Sequence, residues 1–486
     1  MVPVTAPAVR YGTPQGRWVL AATVLGSGVA FLDGTVVNVA LPAIAGDLDT
    51  TMSGLQWTLD AYLVTLTALL LLGGSLGDRF GRRRLFVAGL AWFTAASLLC
   101  GVAPSPGLLV AARAAQGVGG ALLVPGSLSI ISATFATEDR GRAIGAWSGL
   151  AGVASALGPF VGGWLIDAAS WRLVFLLNVP LAAVAAWIAL RHVPETRAGE
   201  GGPVDVPGAV LVTAGLAGLA FAAIERSGAA SVLAGLAGAA ALAAFVAVER
   251  ARPHPMLPLP LFRSRQFTGA NLTTFAVYAG LGGALFLVVL RLQVSLGYSA
   301  LEAGAALVPF TVCMLLLSPT AGQLSQRIGP RLPMTIGPLV AAAGLLLFGT
   351  VDPGDTYLDE VLPAVVVFGL GMALTVAPLT AAVLAGVDEG HAGVASGVNN
   401  AVARLAGLLA VAVLPALAGI EADAALDAGL SGAGFATALR LSAALCAAGG
   451  LVAAALVRRS VDVPPMVHPS TTQACHDPCV QASHAA

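Results

Sequence analysis

The sequence predicts an all-α membrane protein of fourteen transmembrane helices, and three observations lead there. Of 486 residues, 57% are apolar and only 10% charged, more apolar surface than a water-soluble protein can hide. The apolar residues gather into fourteen segments of about 18–25 residues, each long enough to cross a bilayer as a helix. Arginine, which supplies every basic residue, is distributed very unevenly among the loops between them.

The spans are read at 18–44, 55–73, 85–103, 107–133, 141–167, 173–190, 208–225, 230–249, 267–290, 303–325, 332–350, 359–385, 393–420 and 436–457. An even number puts both termini on one side, and the arginines indicate the cytoplasmic side. Eighteen of the 24 then lie in cytoplasmic segments, whereas the opposite ends hold four, Arg172, Arg226, Arg291 and Arg440. One missed helix would invert every later loop, so this bias supports the count as well as the orientation. Residues 1–17, with Arg10 and Arg17, resemble the start of a signal peptide. The apolar run that follows is too long and holds Asp33, which argues for an uncleaved first span.

An internal repeat sets the division into units. GSLGDRFGRR at 74–83 returns, weakened, as GQLSQRIGPR at 322–331, and GVGGALLVP at 117–125 is echoed by GLGMALTVAP at 369–378. The expected organisation is 6+2+6. A cytoplasmic segment (1–17) leads into an N-terminal six-helix bundle (18–190). Two extra helices with cytoplasmic flanks (191–266) connect it to a C-terminal six-helix bundle (267–457), followed by a cytoplasmic, disordered tail (458–486). Two repeated halves with a binding site between them suit a transporter.

Charges at membrane depth are costly and rarely idle. Asp33 lies in FLDGTVVNVALPAI of the first span, Asp60 in LQWTLDAYL of the second, and Arg113 in VAARAAQGVGG of the fourth, with Gln116 one turn on. At about 1.5 Å per residue, Arg113 and Asp60 lie roughly 9 Å below the outer ends of their helices and Asp33 roughly 16 Å. Three such groups in the outer half of one bundle would make a proton and substrate site. The competing readings are a structural ion pair for Arg113 and simple solvation for Asp60. Arg404, in VNNAVARLAG of span thirteen, falls near mid-membrane, with Asn399 and Asn400 as cavity-lining donors; an internal partner or an anionic ligand group would satisfy it.

Between spans two and three, Gly74 and Gly81 permit a tight turn and close helix approach. Asp78 can pair with a nearby arginine, and Arg79 and Arg82 hold the loop in the cytoplasm. A gate latch is the favoured reading over a plain basic loop. In span five, Gly145, Gly158, Pro159, Gly162 and Gly163 make a bendable helix that a neighbour can slide past. The tail residues His468, Cys475, His476, Cys479 and His484 match no standard zinc spacing, so no metal is expected.

Together these motifs resemble the major facilitator superfamily, in its fourteen-helix drug/proton antiporter branch. FLDGTVVNVALPAI, GSLGDRFGRRR, the run from Arg113 to Gly120, the span-five glycine pattern, WRLVFLLNVP (171–180) and LFRSRQF (261–267) carry the likeness over about residues 18–457. Ala154 stands where a glycine is usual. The resemblance implies the major facilitator fold and export of lipophilic, often cationic drugs or antibiotics in exchange for protons, by alternating access. It implies a plasma-membrane location and no cofactor beyond the proton gradient.

A neutral or anionic natural product, or a lipid, is the alternative cargo, since Arg113 and Arg404 suit an anion better than a cation. A non-transporting sensor or assembly subunit would need no charges buried in a gated cavity. No nucleotide-binding loop appears, and no nucleophile–base set suggests an enzyme. A net charge of −1 gives no reason to expect nucleic acid as a partner. Nothing in the sequence indicates an outer adaptor protein or an oligomeric state.

Overall fold

A computed structural model describes residues 9–197, 205–252, 255–388, 392–421 and 433–458. The histidines and cysteines of the tail, and its expected disorder, lie outside the described residues. Among these, fourteen helices are long and apolar enough to cross a membrane, and there is no β-strand.

The helices are α1 (Pro14–Leu48), α2 (Met52–Phe80), α3 (Arg82–Gly101), α4 (Pro106–Thr134), α5 (Thr137–Ala168), α6 (Arg172–Leu176), α7 (Asn178–His192), α8 (Val206–Glu225) and α9 (Gly228–Ala251). They continue with α10 (Arg265–Val294), α11 (Ala300–Ala306), α12 (Val308–Ile328), α13 (Arg331–Phe348), α14 (Leu362–Leu384), α15 (Ala392–Leu417) and α16 (Ala433–Leu456). The α6–α7 and α11–α12 pairs each make one span, broken at Leu177 and Leu307.

Several helices outrun the apolar segments because hydropathy marks only the part at lipid depth, whereas a helix continues until it is capped. Thr13, Ser105 and Asp205 cap α1, α4 and α8 by accepting the N–H of Gly16, Leu108 and Gly208, each with a proline in the first turn. The repeat is visible in the backbone. The α2–α3 and α12–α13 turns both pivot on a glycine of positive φ, Gly81 at 109° and Gly329 at 84°, a conformation that penalises a Cβ.

Helices α1–α7 pack among themselves, as do α10–α16, while α8 and α9 form a hairpin. The two groups touch through α5 with α11, α2 with α15 and α1 with α10. The hairpin lies against one of these seams. Leu216 and Ala220 of α8 join Val64 and Ala68 of α2 and Leu408 of α15 in one apolar cluster. At the end of α8, Trp57 Nε1 donates to Glu225 Oε1 (2.8 Å) and Arg226 Nη1 donates to the Ile420 carbonyl (2.6 Å).

Candidate functional site

Asp33 is the centre of a closed polar network inside the α1–α7 group. Its Oδ2 accepts from Arg113 Nη1 at 2.5 Å, and its Oδ1 accepts from Gln116 Nε2 at 2.8 Å and Asn178 Nδ2 at 2.9 Å. Arg113 also donates to Gln116 Oε1 (2.6 Å) and, through Nε, to the Thr58 carbonyl (3.0 Å). Its guanidinium lies 4.3 Å from the Tyr62 ring centroid. Gln116 reaches Ser97 Oγ at 2.9 Å. Asp33, Arg113, Gln116, Asn178 and Ser97 are at most 1% exposed. A buried ion pair is tolerated when its remaining hydrogen-bonding sites are filled, and both oxygens of Asp33 are filled here.

Asp60 is placed differently. The carboxyl is wholly enclosed, and neither oxygen has a hydrogen-bond partner. Solvation, the competing expectation from its depth, does not hold. Depth along a helix takes no account of neighbouring helices, and in the α2 stripe Gln56–Asp60–Val64–Ala68 the residues flanking Asp60 meet α15 and α8. One turn before Asp60, Gln56 Nε2 donates to the Val411 carbonyl of α15 at 2.6 Å. One turn after it, Val64 enters the cluster with Leu408. Arg113 forms its ion pair with Asp33 and none with Asp60, so the three charges expected to share one site divide between two environments.

Arg404 is half-buried on α15, its guanidinium 5.6 Å from the centroid of Phe31 on α1. Asn399 turns toward α10, donating to Thr274 Oγ1 at 2.7 Å and Asn271 Oδ1 at 3.2 Å. Asn400 is half-buried beside it.

At the α2–α3 turn, Asp78 of α2 pairs with Arg82 of α3 across Gly81 (2.8 Å), and Arg79 is exposed over Phe80. Glu195, which the sequence did not single out, accepts the backbone N–H of Arg83 (3.1 Å) and Arg84 (3.2 Å). It thereby caps α3 with a charge that suits a helix N-terminus. Gly74 has ordinary contact with Pro125.

Along α5, Gly158 and Gly162 are pressed against Thr35 and Val36 of α1, and a Cβ on Gly163 would collide with the Ala300 carbonyl of α11. Pro159 offers its carbonyl to the same approach, facing Gly304. Gly145 is exposed, with nothing near it.

Three side chains fasten the two groups at the end remote from the Asp78 turn, all to main-chain atoms. Asp167 of α5 accepts the N–H of Ala300 (3.2 Å) and Leu301 (2.9 Å), Gln293 of α10 donates to the Val39 carbonyl (3.0 Å), and Gln56 reaches Val411. None of the three was legible as a site residue. Asn178 and Ser97 were also missed, although a lone Asn inside WRLVFLLNVP is a polar residue in an apolar run and could have been flagged.

A family model described as Major Facilitator Superfamily matches residues 23–411. The probable actinorhodin transporter of Streptomyces coelicolor is 37% identical over 436 residues, 85% of this chain and 75% of that protein. The puromycin resistance protein pur8 of Streptomyces alboniger is 35% identical over 422 residues, covering 85% and 84%. The multidrug resistance protein Stp of Mycobacterium tuberculosis is 33% identical over 414 residues, covering 84% and 77%. Among solved structures, a bacterial homologue of the human lysosomal transporter Spinster, in an inward-facing and occupied conformation, superposes with a TM-score of 0.64 at 17% identity. That match covers 92% of this chain and 96% of that one, a likeness of fold.

Proposed function

Because the chain belongs to the Major Facilitator Superfamily, we propose that this membrane transporter exports lipophilic drugs or antibiotics across the plasma membrane in exchange for protons. Its arginine-rich loops and both termini would face the cytoplasm, and the groups α1–α7 and α10–α16 would be the halves that rock about the cargo. The state described is then closed toward the outside and open toward the cytoplasm.

One observation carries the proton coupling: Asp60 is wholly buried with no donor to either oxygen, and its neighbours one turn away on α2, Gln56 and Val64, meet α15. An ionised carboxylate without a partner is costly to bury, so packing α15 over Asp60 favours the protonated acid. Loss of that proton would work against the α2–α15 contact and help to open the outer end. Asp33, with three donors, holds Arg113. Two carboxyls in such different surroundings divide the roles between them. A proton taken up from outside closes the outer gate; its release inside lets cargo bind and the cycle reverse.

The test is drug movement into proteoliposomes under an imposed pH gradient. Asp60→Asn, neutral at every pH, should abolish gradient-driven accumulation while leaving downhill exchange of drug. Full gradient-driven accumulation by that variant would remove Asp60 from the coupling.

A further inference from the structure

The membrane-spanning interior holds few formal charges. Among the described residues the carboxyls at depth are Asp33 and Asp60, and neither presents a free charge to a ligand. Asp33 is saturated by Arg113, Gln116 and Asn178, and Asp60 is wholly buried. A cationic cargo would have to displace Arg113 or prise α2 from α15.

Arg404 is the contrasting case. It stands on α15, half-buried, with no carboxylate within 4 Å among the described residues. Its guanidinium reaches across the boundary between the two groups to α1, where the Phe31 ring lies 5.6 Å away. Gly34, one turn beyond Phe31, keeps that wall low: a Cβ there would stand 3.9 Å from Arg404 Nη1. Trp147 of α5 backs Phe31 from within the core, its ring 6.3 Å away and its Nε1 donating to Ser27 Oγ. An arginine beside a ring, which has no acceptor to offer it, keeps its N–H donors for an anion, in the planar fork that suits a carboxylate or sulfonate.

We infer that Arg404 and Phe31 receive an aromatic cargo bearing an anionic group, with the anion on Arg404 and the ring system along Phe31. This deepens the export reading and rests on it for the word cargo. The preference for negative charge is a property of the pair itself. Because Arg404 comes from one group of helices and Phe31 from the other, a ligand bridging them bears on both when they move.

Binding can be measured apart from transport, by calorimetry on the full chain in phosphatidylcholine nanodiscs. The probes are a matched series: naphthalene-2-sulfonate, neutral 2-naphthol and 2-naphthyltrimethylammonium. The sulfonate should bind at least tenfold more tightly than the ammonium. Arg404→Gln should lose about tenfold for the sulfonate and little for 2-naphthol, whose unchanged binding also shows that the variant is folded. Arg404→Lys, which keeps the charge but not the planar fork, should retain only part of the sulfonate affinity and more than Arg404→Gln.

Equal or tighter binding of the ammonium, an unchanged sulfonate affinity in Arg404→Gln, or binding of none of the three would overturn the inference. Anionic lipid offers the same chemistry, so the sulfonate is also titrated in nanodiscs containing phosphatidylglycerol. Abolition of its binding there would assign Arg404 to a lipid headgroup and overturn the cargo assignment. A sulfonate preference in a protein that fails the pH-gradient test would sink the export reading and leave the anion site standing.

Discussion

Gly145 and Gly163 lie on the same face of α5, eighteen residues or about five turns apart, yet only Gly163 is covered. Gly163 abuts the backbone of α11 at Ala300 and Leu301, whereas a Cβ on Gly145, Gly149 or Gly152 would meet nothing within 4 Å. One straight face of a single helix is thus shut at one end and unopposed at the other. The two groups of helices diverge along it.

That divergence predicts opposite responses to one added methyl group. Gly145→Ala should leave the stability of this state unchanged, since the added methyl group meets nothing within 4 Å. Gly163→Ala should push α5 away from α11, because the obstacle is backbone rather than a movable side chain. Spin labels at Val102 and Leu358, 63% and 70% exposed near the Asp167 end, would report a longer distance in Gly163→Ala and the parent distance in Gly145→Ala. Identical distributions in the two variants would show that the contact does not hold the halves together.

Asp167 should act on the same distance without altering packing. Its two oxygens satisfy the first N–H groups of α11 across the boundary between groups, and losing such a cap costs about 1 kcal/mol, roughly a fivefold change in population. Asp167→Ala should therefore enlarge the long-distance population about fivefold in the same spin-label pair. No change would mean that α11 finds another partner at no cost.

The Asp33 network should show graded losses. Asp33→Asn leaves Arg113 buried without its counter-charge, a loss of about 3–5 kcal/mol. Asn178→Leu removes one donor to a charged acceptor at similar volume, about 1.5–3 kcal/mol. Thermal unfolding of the purified protein should rank wild type above Asn178→Leu and Asn178→Leu above Asp33→Asn. An Asn178→Leu variant as stable as wild type would reduce that hydrogen bond to a bystander.

The spans were legible because lipid exposure demands long apolar runs, and the turn at Gly81 because its copy at Gly329 repeats the same positive φ. Asp33 and Arg113 stood out because charge is rare in such runs. What stayed hidden has a common cause. Asn178 meets Asp33 across 145 residues of sequence, and Asp167 meets Leu301 across 134. Asp167, Gln56 and Gln293 bond to main-chain atoms, which every residue possesses and no motif marks. The burial of Asp60 depends on neighbouring helices, and helical rise alone carries no information about what lies alongside.

The bonds at the tip of α8 have a mechanical consequence. Glu225 and Arg226 are adjacent, yet one holds Trp57 of α2 and the other the carbonyl that follows α15. The protein behaves like a book with a taped spine: any parting of α2 from α15 must strain or carry the hairpin, while no extra helix among those described binds α5 to α12. On the other edge only the direct contacts of α5 with α11 and α12 resist parting, so the two edges of the boundary would not open alike.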